Sequence, residues 1–425
     1  MPEWLAASTL PGGLVIITER LPYVHSVALG ITFGLGSRND PDGSEGMVHL
    51  IEHMVFKGTE RLSSRELNRA AEARGAELNG FTDKETTCFY GRFPADQCAA
   101  VTELLAEIVS APAFNPEELK KEREVVLEEI RTTDEDPEAV CVNLLLRAVY
   151  GDQPLGRPVL GTVSSVSRIE AADLKRFYLS FYGCPLMVVT ATGDVAHDFL
   201  VGQVSALLGN LQQQSPAIRL PASTVQPPQV RVHQRKDLNQ VYVCLARPTF
   251  AFTDPRRHAL SVMNTALGGG VSSRLFQRLR EDEGLVYSVA SFVELFQDSG
   301  LLGIYFVTDS RKLPRCLAAL KEELVRLGRE RIGTEEFERA RNMTRSSVLL
   351  ALESPTSRMM RLARTQLIFG RPLPVAETVA AYDSLALDEV AGLIDILAPD
   401  APFHLGVVGP LPEDEVCRLI DEVGH

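Results

Sequence analysis

The sequence lacks the features that would anchor it in a membrane or export it. Its apolar runs are short and interrupted by Gly, Pro or charged residues, and none approaches the roughly 18–20 apolar residues that a membrane span needs. The opening segment, MPEWLAASTLPGG, has no basic start and no apolar run, and it is poor in Arg, unlike secretory signals and mitochondrial transit peptides. We therefore expect a cytoplasmic protein that does not associate with membranes.

The sequence also lacks closely spaced pairs of cysteines. The chain has seven cysteines, which is an odd number, and no two of them form a Cys-x-x-Cys pair. They are Cys88, Cys98, Cys141, Cys184, Cys244, Cys316 and Cys417. This usage predicts reduced, mostly buried thiols that neither bind metal nor form disulfides.

An excess of positive charge is absent as well. Acidic residues number 56 and basic residues 43, so the net charge is −13. This balance argues against nucleic acid and anionic membranes as main partners. An acidic cavity that attracts basic peptides is one interpretation, but ordinary solubility is the favoured explanation of the charge.

The length and the pattern of the chain indicate two similar domains. At 425 residues it exceeds one ordinary core. A stretch rich in Gln and Pro near its midpoint, residues 211–229, is typical of an interdomain linker. The strand-like run SVALGITFGLGS in the first half has a counterpart, QVYVCLARPTF, in the second, and helix-like segments match at an offset of 218 residues. We predict a zinc-binding domain at 1–212, a linker at 213–229 and a related domain without zinc at 230–425.

Local signals predict an α+β fold, with two duplicated layered domains that each pack helices on an antiparallel-rich sheet. Ser63 and Glu66 form a capping box for a helix that runs to about Gly75. The segment ELNGFTDKETTCFYGRF reads as two strands around a polar turn. Pro116 favours the start of a helix that runs through about Ile130 and stops before Asp136 and Pro137.

The segment from Val48 to Met54, VHLIEHM, carries the clearest chemistry. On a helix His49 and His53 lie one turn apart on the same face, so both imidazoles can bind one metal ion. Glu52 lies beside them, where a carboxylate can take the proton of an attacking water. Zinc suits two imidazoles and one carboxylate, with a fourth position open.

Chance gives few such patterns. With eight His and 56 acidic residues in the chain, about 0.02 matches to His-x-x-acid-His are expected. The alternative is a surface helix with two histidines by accident. The apolar residues around the motif instead predict a largely buried helix, in which polar side chains need partners.

A third metal ligand must come from elsewhere in the chain. The predicted helix at 117–130 is rich in glutamates, of which Glu122 and Glu129 share a face and Glu128 lies on another side. These glutamates can equally form a solvated face with neighbouring basic residues. Periodicity alone does not choose between the two.

His-x-x-Glu-His is the zincin motif in reverse order. With this motif near its start, the chain resembles the pitrilysin or insulinase family of zinc peptidases, in particular the two-domain branch with the mitochondrial processing peptidase and its bacterial relatives. The resemblance spans nearly the whole chain. It implies Glu129, 76 residues after the second histidine, as the third zinc ligand and Glu122 as a supporting glutamate.

Two further segments carry the resemblance. LNGFTDKETT, with Asn79, Gly80 and Phe81, is similar to the family's strand that runs beside a bound peptide, although members often have Ala in place of Gly80. GGGVSSRLFQRLREDEGLVYS is similar to its substrate-binding segment and implies roles for Arg280 and Tyr287. Without the resemblance, these segments would be a plain hairpin and a helix followed by a turn.

The resemblance implies a zinc endopeptidase for extended or unfolded peptides. Four family domains enclose a chamber, so a two-domain chain implies a homodimer, or a heterodimer with a related subunit. The zinc half of one subunit then faces Arg280 and Tyr287 of the other. The alternatives are a non-catalytic structural or assembly subunit, which usually lacks part of the motif, and a chaperone-like peptide binder that retains zinc.

Overall fold

The computed structural model describes residues 4–209, 211, 222–398 and 401–423. It confirms the mixed α/β fold with two sheets. The strands are β1 (Leu5–Thr9), β2 (Val15–Arg20), β3 (Ser26–Phe33), β4 (Glu77–Thr82), β5 (Thr87–Pro94), β6 (Met187–Gly193), β7 (Val230–Gln234), β8 (Gln240–Thr249), β9 (Val286–Leu295), β10 (Gly300–Asp309) and β11 (His404–Gly409).

The helices alternate with groups of strands along the chain. They are α1 (Met47–Val55), α2 (Ser64–Glu72), α3 (Cys98–Ser110), α4 (Pro116–Glu135), α5 (Pro137–Tyr150), α6 (Val163–Val166), α7 (Ala171–Phe181), α8 (His197–Leu208), α9 (Arg257–Gly268), α10 (Leu313–Glu330), α11 (Thr334–Ala351), α12 (Pro355–Phe369), α13 (Val375–Asp383), α14 (Leu387–Ala391) and α15 (Glu413–Val423). A π-helix occupies Phe276–Asp282.

The chain forms two compact units that are not continuous in sequence. The first unit comprises residues 1–131, 158–221 and 351–375, and the second comprises 132–157, 222–350 and 376–425. Each unit therefore includes a segment from the opposite half of the sequence. The predicted domain boundaries stay a prediction, and most of the predicted linker lies outside the described residues.

The two sheets have matching topology over five strands, and β1 of the first sheet has no counterpart in the second. In the first the strand order is β1-β2-β6-β3-β5-β4, and in the second it is β7-β11-β8-β10-β9. In both, one parallel pair (β2 with β6, and β7 with β11) joins otherwise antiparallel neighbours. Helices α4 and α11 begin at residues 116 and 334, and α5 and α12 at 137 and 355, which repeats the offset of 218. Sheet order and helix spacing both reflect the duplication.

The central strand of the first sheet is buried on both faces. On one face Val27, Leu29 and Ile31 join the main core with helices α1, α3, α7 and α8. On the other face α12 covers the sheet, and Gly30 leaves the space that Met359 of α12 fills. Because successive residues of a strand point to opposite faces, β3 is apolar at nearly every position.

The second sheet is covered in the same way. Val241 and Val243 of β8 pack in a core with α9 and α10. On the opposite face Cys244 and Ala246 pack against Leu145 and other side chains of α5. Each unit is thus a sheet between two helical layers, and one layer is a helix from the other half of the sequence.

Several predicted elements are confirmed. The strands that begin at Ser26 and Gln240 and the β4–β5 hairpin occur as predicted. Ser63 and Glu66 form the capping box of α2, which ends at Glu72. Helix α4 begins at Pro116 and stops at Glu135, before Asp136 and Pro137, as predicted. Pro137 disfavours helical conformation in the residue before it, which explains where the helix ends.

The cysteines are free thiols in the described part of the chain. All are buried except Cys417, which is half-buried. Over the described residues, no helix is long and apolar enough to traverse a bilayer. The cytoplasmic location stays a prediction.

A glycine fixes the start of α1. Gly46 has φ of 90°, and a Cβ there would collide with the backbone carbonyl of Leu160. Gly43 has φ of 82° but has open space around it. We expect Gly43→Ala to lower the free energy of unfolding by about 1–2 kcal/mol, because alanine is strained in the left-handed conformation. Gly46→Ala should lower it clearly more, because Leu160 must also move. Urea denaturation of both variants measures the difference, and equal losses would contradict the close approach.

Candidate metal centre

Helix α1 is positioned by its burial and by a carboxylate at its N-terminus. Its apolar side chains, including Leu50 and Ile51, are fully buried in the first core. Asp40 accepts hydrogen bonds from the backbone N–H groups of Gly46 (2.7 Å) and Val48 (2.8 Å). A negative group at this end satisfies free N–H groups and favours the helix dipole. The two hydrogen bonds lower the pKa of Asp40, but burial has the larger effect and raises that pKa to about 7.

The two histidines of α1 face one carboxylate of α4. The rings of His49 and His53 lie 4.7 Å apart between centroids. Their Nε2 atoms lie 3.8 and 3.6 Å from the same Oε2 atom of Glu129. Within the described residues, these three side chains form the one group of three or more His, Cys, Asp or Glu whose ligand atoms lie within 4.8 Å of one another.

This group fits a zinc ion. Two imidazole nitrogens and one carboxylate oxygen form a common ligand set of zinc peptidases, with bonds of roughly 2 Å, and atoms 3.6–3.8 Å apart can share one ion. Burial, with the charge of His53 in addition, lowers the pKa of His49 to about 3. His49 is therefore neutral, and its lone pair is available to a metal. Its Nδ1 is buried without a hydrogen-bond partner in the described part of the chain.

Glu122 holds His53 in place. It is 6% exposed and lies at 3.2 Å from Nδ1 of His53, and it accepts from Nζ of Lys57 at 2.7 Å. With Nδ1 as the donor to Glu122, Nε2 of His53 keeps its lone pair directed at Glu129. Burial opposes the charge on Glu122, but the hydrogen bonds from His53 and Lys57 outweigh it and lower its pKa.

The same carboxylates act on His53. Burial lowers its pKa, but the hydrogen bond with Glu122 and the charges of Glu52 and Glu129 outweigh burial, so the net shift is upward. A metal ion must displace the proton from this ring before it can bind.

Glu52 lies between the metal group and strand β4. Burial raises the pKa of its carboxyl, although the Thr82 hydroxyl and His53 act in the opposite direction. A Cβ on Gly80 would come within 3.1 Å of Cγ and 3.3 Å of Oε1 of Glu52. The glycine thus allows the strand to pass against this carboxylate, and a raised pKa brings Glu52 nearer the range of a general base.

Strand β4 is an edge strand, since it pairs with β5 alone in the described sheet. Asn79 is exposed, and Gly80 and Phe81 are half-buried. The Asn79 side-chain oxygen accepts from the Gly80 N–H at 2.8 Å. An extended peptide that pairs at Gly80 must therefore displace the Asn79 side chain from that N–H.

Arg280 and Tyr287 lie in the second unit. The guanidinium of Arg280 lies 5.0 Å from the centre of the Phe276 ring, within the π-helix. Tyr287 is 57% exposed, near the start of β9, the edge strand of the second sheet. The structure gathers the three predicted ligands with Glu52, Glu122 and Gly80 in the first unit, whereas Arg280 and Tyr287 belong to the second unit.

The corresponding helix of the second unit has no metal ligands. When VMNTALGGG is aligned with VHLIEHMVF, Met263, Ala266 and Leu267 replace the two histidines and the glutamate. All three are buried in the second core. These three side chains contribute to the packing of the second core.

Three contributors were missed from the sequence: Asp40, Lys57 and Thr82. Lys57 follows His53 by four residues, so helical spacing could have placed it on the same side. Asp40 and Thr82 reach the site through the loop before α1 and through β4, and no spacing rule connects them with the motif.

Comparison with known proteins gives consistent matches. Residues 15–163 match the family described as Insulinase (Peptidase family M16), and residues 168–344 match the Peptidase M16 inactive domain. An uncharacterized zinc protease of Streptomyces coelicolor is 36% identical over 98% of this chain and 92% of its own length. One from Mycobacterium tuberculosis is 38% identical over 95% of this chain and 92% of its own length. An uncharacterized zinc protease of Bacillus subtilis is 32% identical over 95% of this chain and 97% of its own length.

Two solved structures share the fold. The peptidase M16 inactive domain from Pseudomonas fluorescens has a TM-score of 0.88 at 19% identity, over 96% of this chain and 98% of that one. A protease from Helicobacter pylori has a TM-score of 0.84 at 19% identity, over 95% of this chain and 99% of that one. At this identity the two structures support the two-domain fold alone.

The contact between Glu122 and His53 leads to a prediction. Replacing Glu122 with Gln removes the charge that orients His53 and leaves Lys57 without a carboxylate. We expect zinc affinity to fall by about 10–100-fold, as for other partners of metal-bound histidines. Glu128→Gln, on the exposed side of the same helix, is the matched control and should retain wild-type affinity. Competition titration with a chromophoric chelator measures both, and equal affinities would refute the orienting role.

Proposed function

The chain belongs to the insulinase family of peptidases, M16, and we propose that it is a zinc-dependent endopeptidase that hydrolyses extended or unfolded peptides. The observation that carries this proposal is the convergence of His49, His53 and Glu129, with Glu52 beside them. The relatives are named as uncharacterized zinc proteases, and these names support zinc as the metal and peptide hydrolysis as the reaction.

His49, His53 and Glu129 would hold the zinc ion in this proposal. When bound, zinc supplies a Lewis acid that polarises the scissile carbonyl and makes a water molecule more acidic. Glu52 would accept the proton of the attacking water and pass it to the leaving amine. Glu122 would keep the His53 ring oriented through its hydrogen bond to Nδ1.

Strand β4 would bind the substrate backbone. An edge strand offers unpaired N–H and C=O groups to an extended peptide, and this pairing requires no particular side chain. Gly80 lies against Glu52, so a peptide paired here would pass close to the proposed base. Folded proteins lack a free extended segment, so the proposed substrates are unfolded or extended peptides.

The proposal includes a dimer. Arg280 and Tyr287 belong to the second unit and the metal group to the first. We infer that two copies, or one copy and a related subunit, enclose the substrate, with the first unit of one facing the second unit of the other. Tyr287 could then donate to a developing oxyanion, and Arg280 could bind a peptide carbonyl.

Glu52→Gln tests the chemistry apart from metal binding. The amide cannot accept a proton, so we expect kcat to fall by about 100-fold or more, while zinc stays near one ion per chain. Cleavage of a quenched fluorescent unfolded peptide and metal analysis of the same sample give the two readouts. Full activity with metal retained would disprove the role of Glu52. No activity in the wild-type, metal-loaded chain would instead favour a peptide-binding or assembly subunit.

Removal of the metal tests the ligand set. A chelator should abolish cleavage, and added zinc should restore it. Glu129→Gln should lower the bound zinc well below one ion per chain, because it removes the one anionic ligand of the three. Glu124→Gln, on the same helix and outside the ligand group, is the control. A Glu129→Gln protein with wild-type zinc content and affinity would show that the third ligand is another residue.

A further inference from the structure

Three arginines lie in or beside the π-helix of the second unit, and they differ in their partners. Arg274 and Arg278 form close ion pairs with glutamates of other helices. Arg280 is exposed, and among the described residues no carboxylate lies within 4.0 Å of its guanidinium group. Two of these arginines are therefore bound within the fold, whereas Arg280 is available to a ligand.

Arg274, two residues before the π-helix, joins this segment to two other helices. Its Nε and Nη2 atoms donate to the two carboxylate oxygens of Glu336, on α11, at 2.7 Å each. Nη2 also donates to the backbone carbonyl of Arg331 at 2.7 Å, and Nη1 lies 3.7 Å from Glu323 of α10. One planar guanidinium group thus contacts α10, α11 and the turn between them.

These contacts are shielded from water. The Arg274 side chain is 13% exposed, that of Glu336 is 16% exposed and that of Glu323 is 1% exposed. Ion pairs in such surroundings are screened less than surface pairs, and the bidentate geometry fixes both side chains. Lysine in place of Arg274 would keep the charge, but its single nitrogen cannot contact all of these oxygens in the same way.

The carbonyl that Arg274 binds belongs to a residue with an unusual backbone conformation. Arg331 has φ of 61° and ψ of −173°, a region that residues other than glycine rarely adopt. Its N–H donates to the Leu327 carbonyl at 2.9 Å, and its side chain pairs with Asp395 at 2.6 Å. Such conformations persist where the surroundings fix them, and they occur preferentially at functional sites.

The rest of the π-helix has weaker polar contacts with α10. Arg278 pairs with Glu322 at 2.7 Å, and Arg315 pairs with Glu283, just after the π-helix, at 2.6 Å. Arg315 and Glu322 are exposed, so water and salt weaken these pairs. Leu279, on the inner side, is fully buried. The shielded polar contact of the segment is therefore the one at Arg274.

A π-helix is rare and is found frequently at functional sites. Relaxation of this segment to an α-helix would change the directions of its side chains, Arg280 among them. We propose that Arg274 is a positioning residue for the substrate: it holds the π-helix against α10 and α11, so that Arg280 keeps the direction in which it binds a peptide carbonyl. This inference rests on the proposed function, in which Arg280 contacts the substrate and Arg274 does not.

Peptide binding in a Glu52→Gln background tests the inference without turnover. The Kd of a fluorescently labelled, unfolded peptide is measured by anisotropy with the full-length, zinc-loaded protein. Arg280→Gln should weaken binding by about 10-fold, because it removes a hydrogen bond from a charged group. Arg274→Lys should weaken it by about 3-fold or more. Arg341→Lys changes another ion-paired arginine of the second unit and should bind as the parent does.

A double variant separates positioning from a role in stability alone. Arg274→Lys/Arg280→Gln should bind no more weakly than Arg280→Gln, because a residue that acts through Arg280 has no effect once that side chain is removed. Losses that add in the double variant would show that Arg274 affects binding by another route, and they would overturn the proposal. A lower Tm of Arg274→Lys with an unchanged Kd would overturn it as well.

A second variant covers the case in which Arg274→Lys fails to fold. Glu336→Gln removes the charge of the acceptor but keeps its shape and one oxygen, and the same expectations apply to it. If Arg280→Gln binds as tightly as the parent, or if the parent binds no peptide, the proposed function is wrong at this point and the inference falls with it. If Arg280→Gln alone weakens binding, the inference fails and the proposed function stands.

Discussion

The hydrogen bond between Glu122 and His53 joins the two helices that carry the metal ligands. Glu122 and Glu129 lie two turns apart on α4, and they reach opposite nitrogens of the same imidazole ring. Leu119, Val126 and Ile130 of α4 pack in the same core as α1. The contact at Nδ1 adds a polar link between the two helices, and it orients the His53 ring so that Nε2 faces Glu129.

The rest of the first unit holds α1 for this contact. The core packs its apolar side chains, Asp40 binds its first N–H groups, and Gly46 permits the sharp entry of the chain. On the far side, Gly80 lets β4 pass against Glu52. A buried helix that presents imidazoles and a carboxylate is costly unless each polar group has a partner. Glu122 supplies such a partner to His53, whereas Nδ1 of His49 has none in the described part of the chain.

Residues of the site that are close in sequence could be predicted from the sequence, whereas contacts between distant segments could not. The spacing of His49, Glu52 and His53 is local, so helical periodicity was sufficient to put them on one helix. The choice between Glu122 and Glu129 was not local, because both share a face of α4. Burial separates them: the Glu122 side chain is 9% exposed and bonded to Lys57, whereas the Glu129 side chain is 44% exposed and faces both histidines. Asp40 and Gly80 act through contacts between distant segments, which no pattern in one sequence encodes.

Helix α12 makes the folding of the first unit depend on the order of synthesis. The strands of its sheet are complete by Gly193, but Met359, which fills the space above Gly30, is made about 165 residues later. At about 5–20 residues per second, that interval is roughly 8–33 s. During this time an apolar sheet face that includes Ile17 and Val188 has no native cover. A nascent chain therefore exposes this apolar surface until nearly the whole protein has been translated. Such a surface promotes aggregation unless another protein binds and covers it during synthesis.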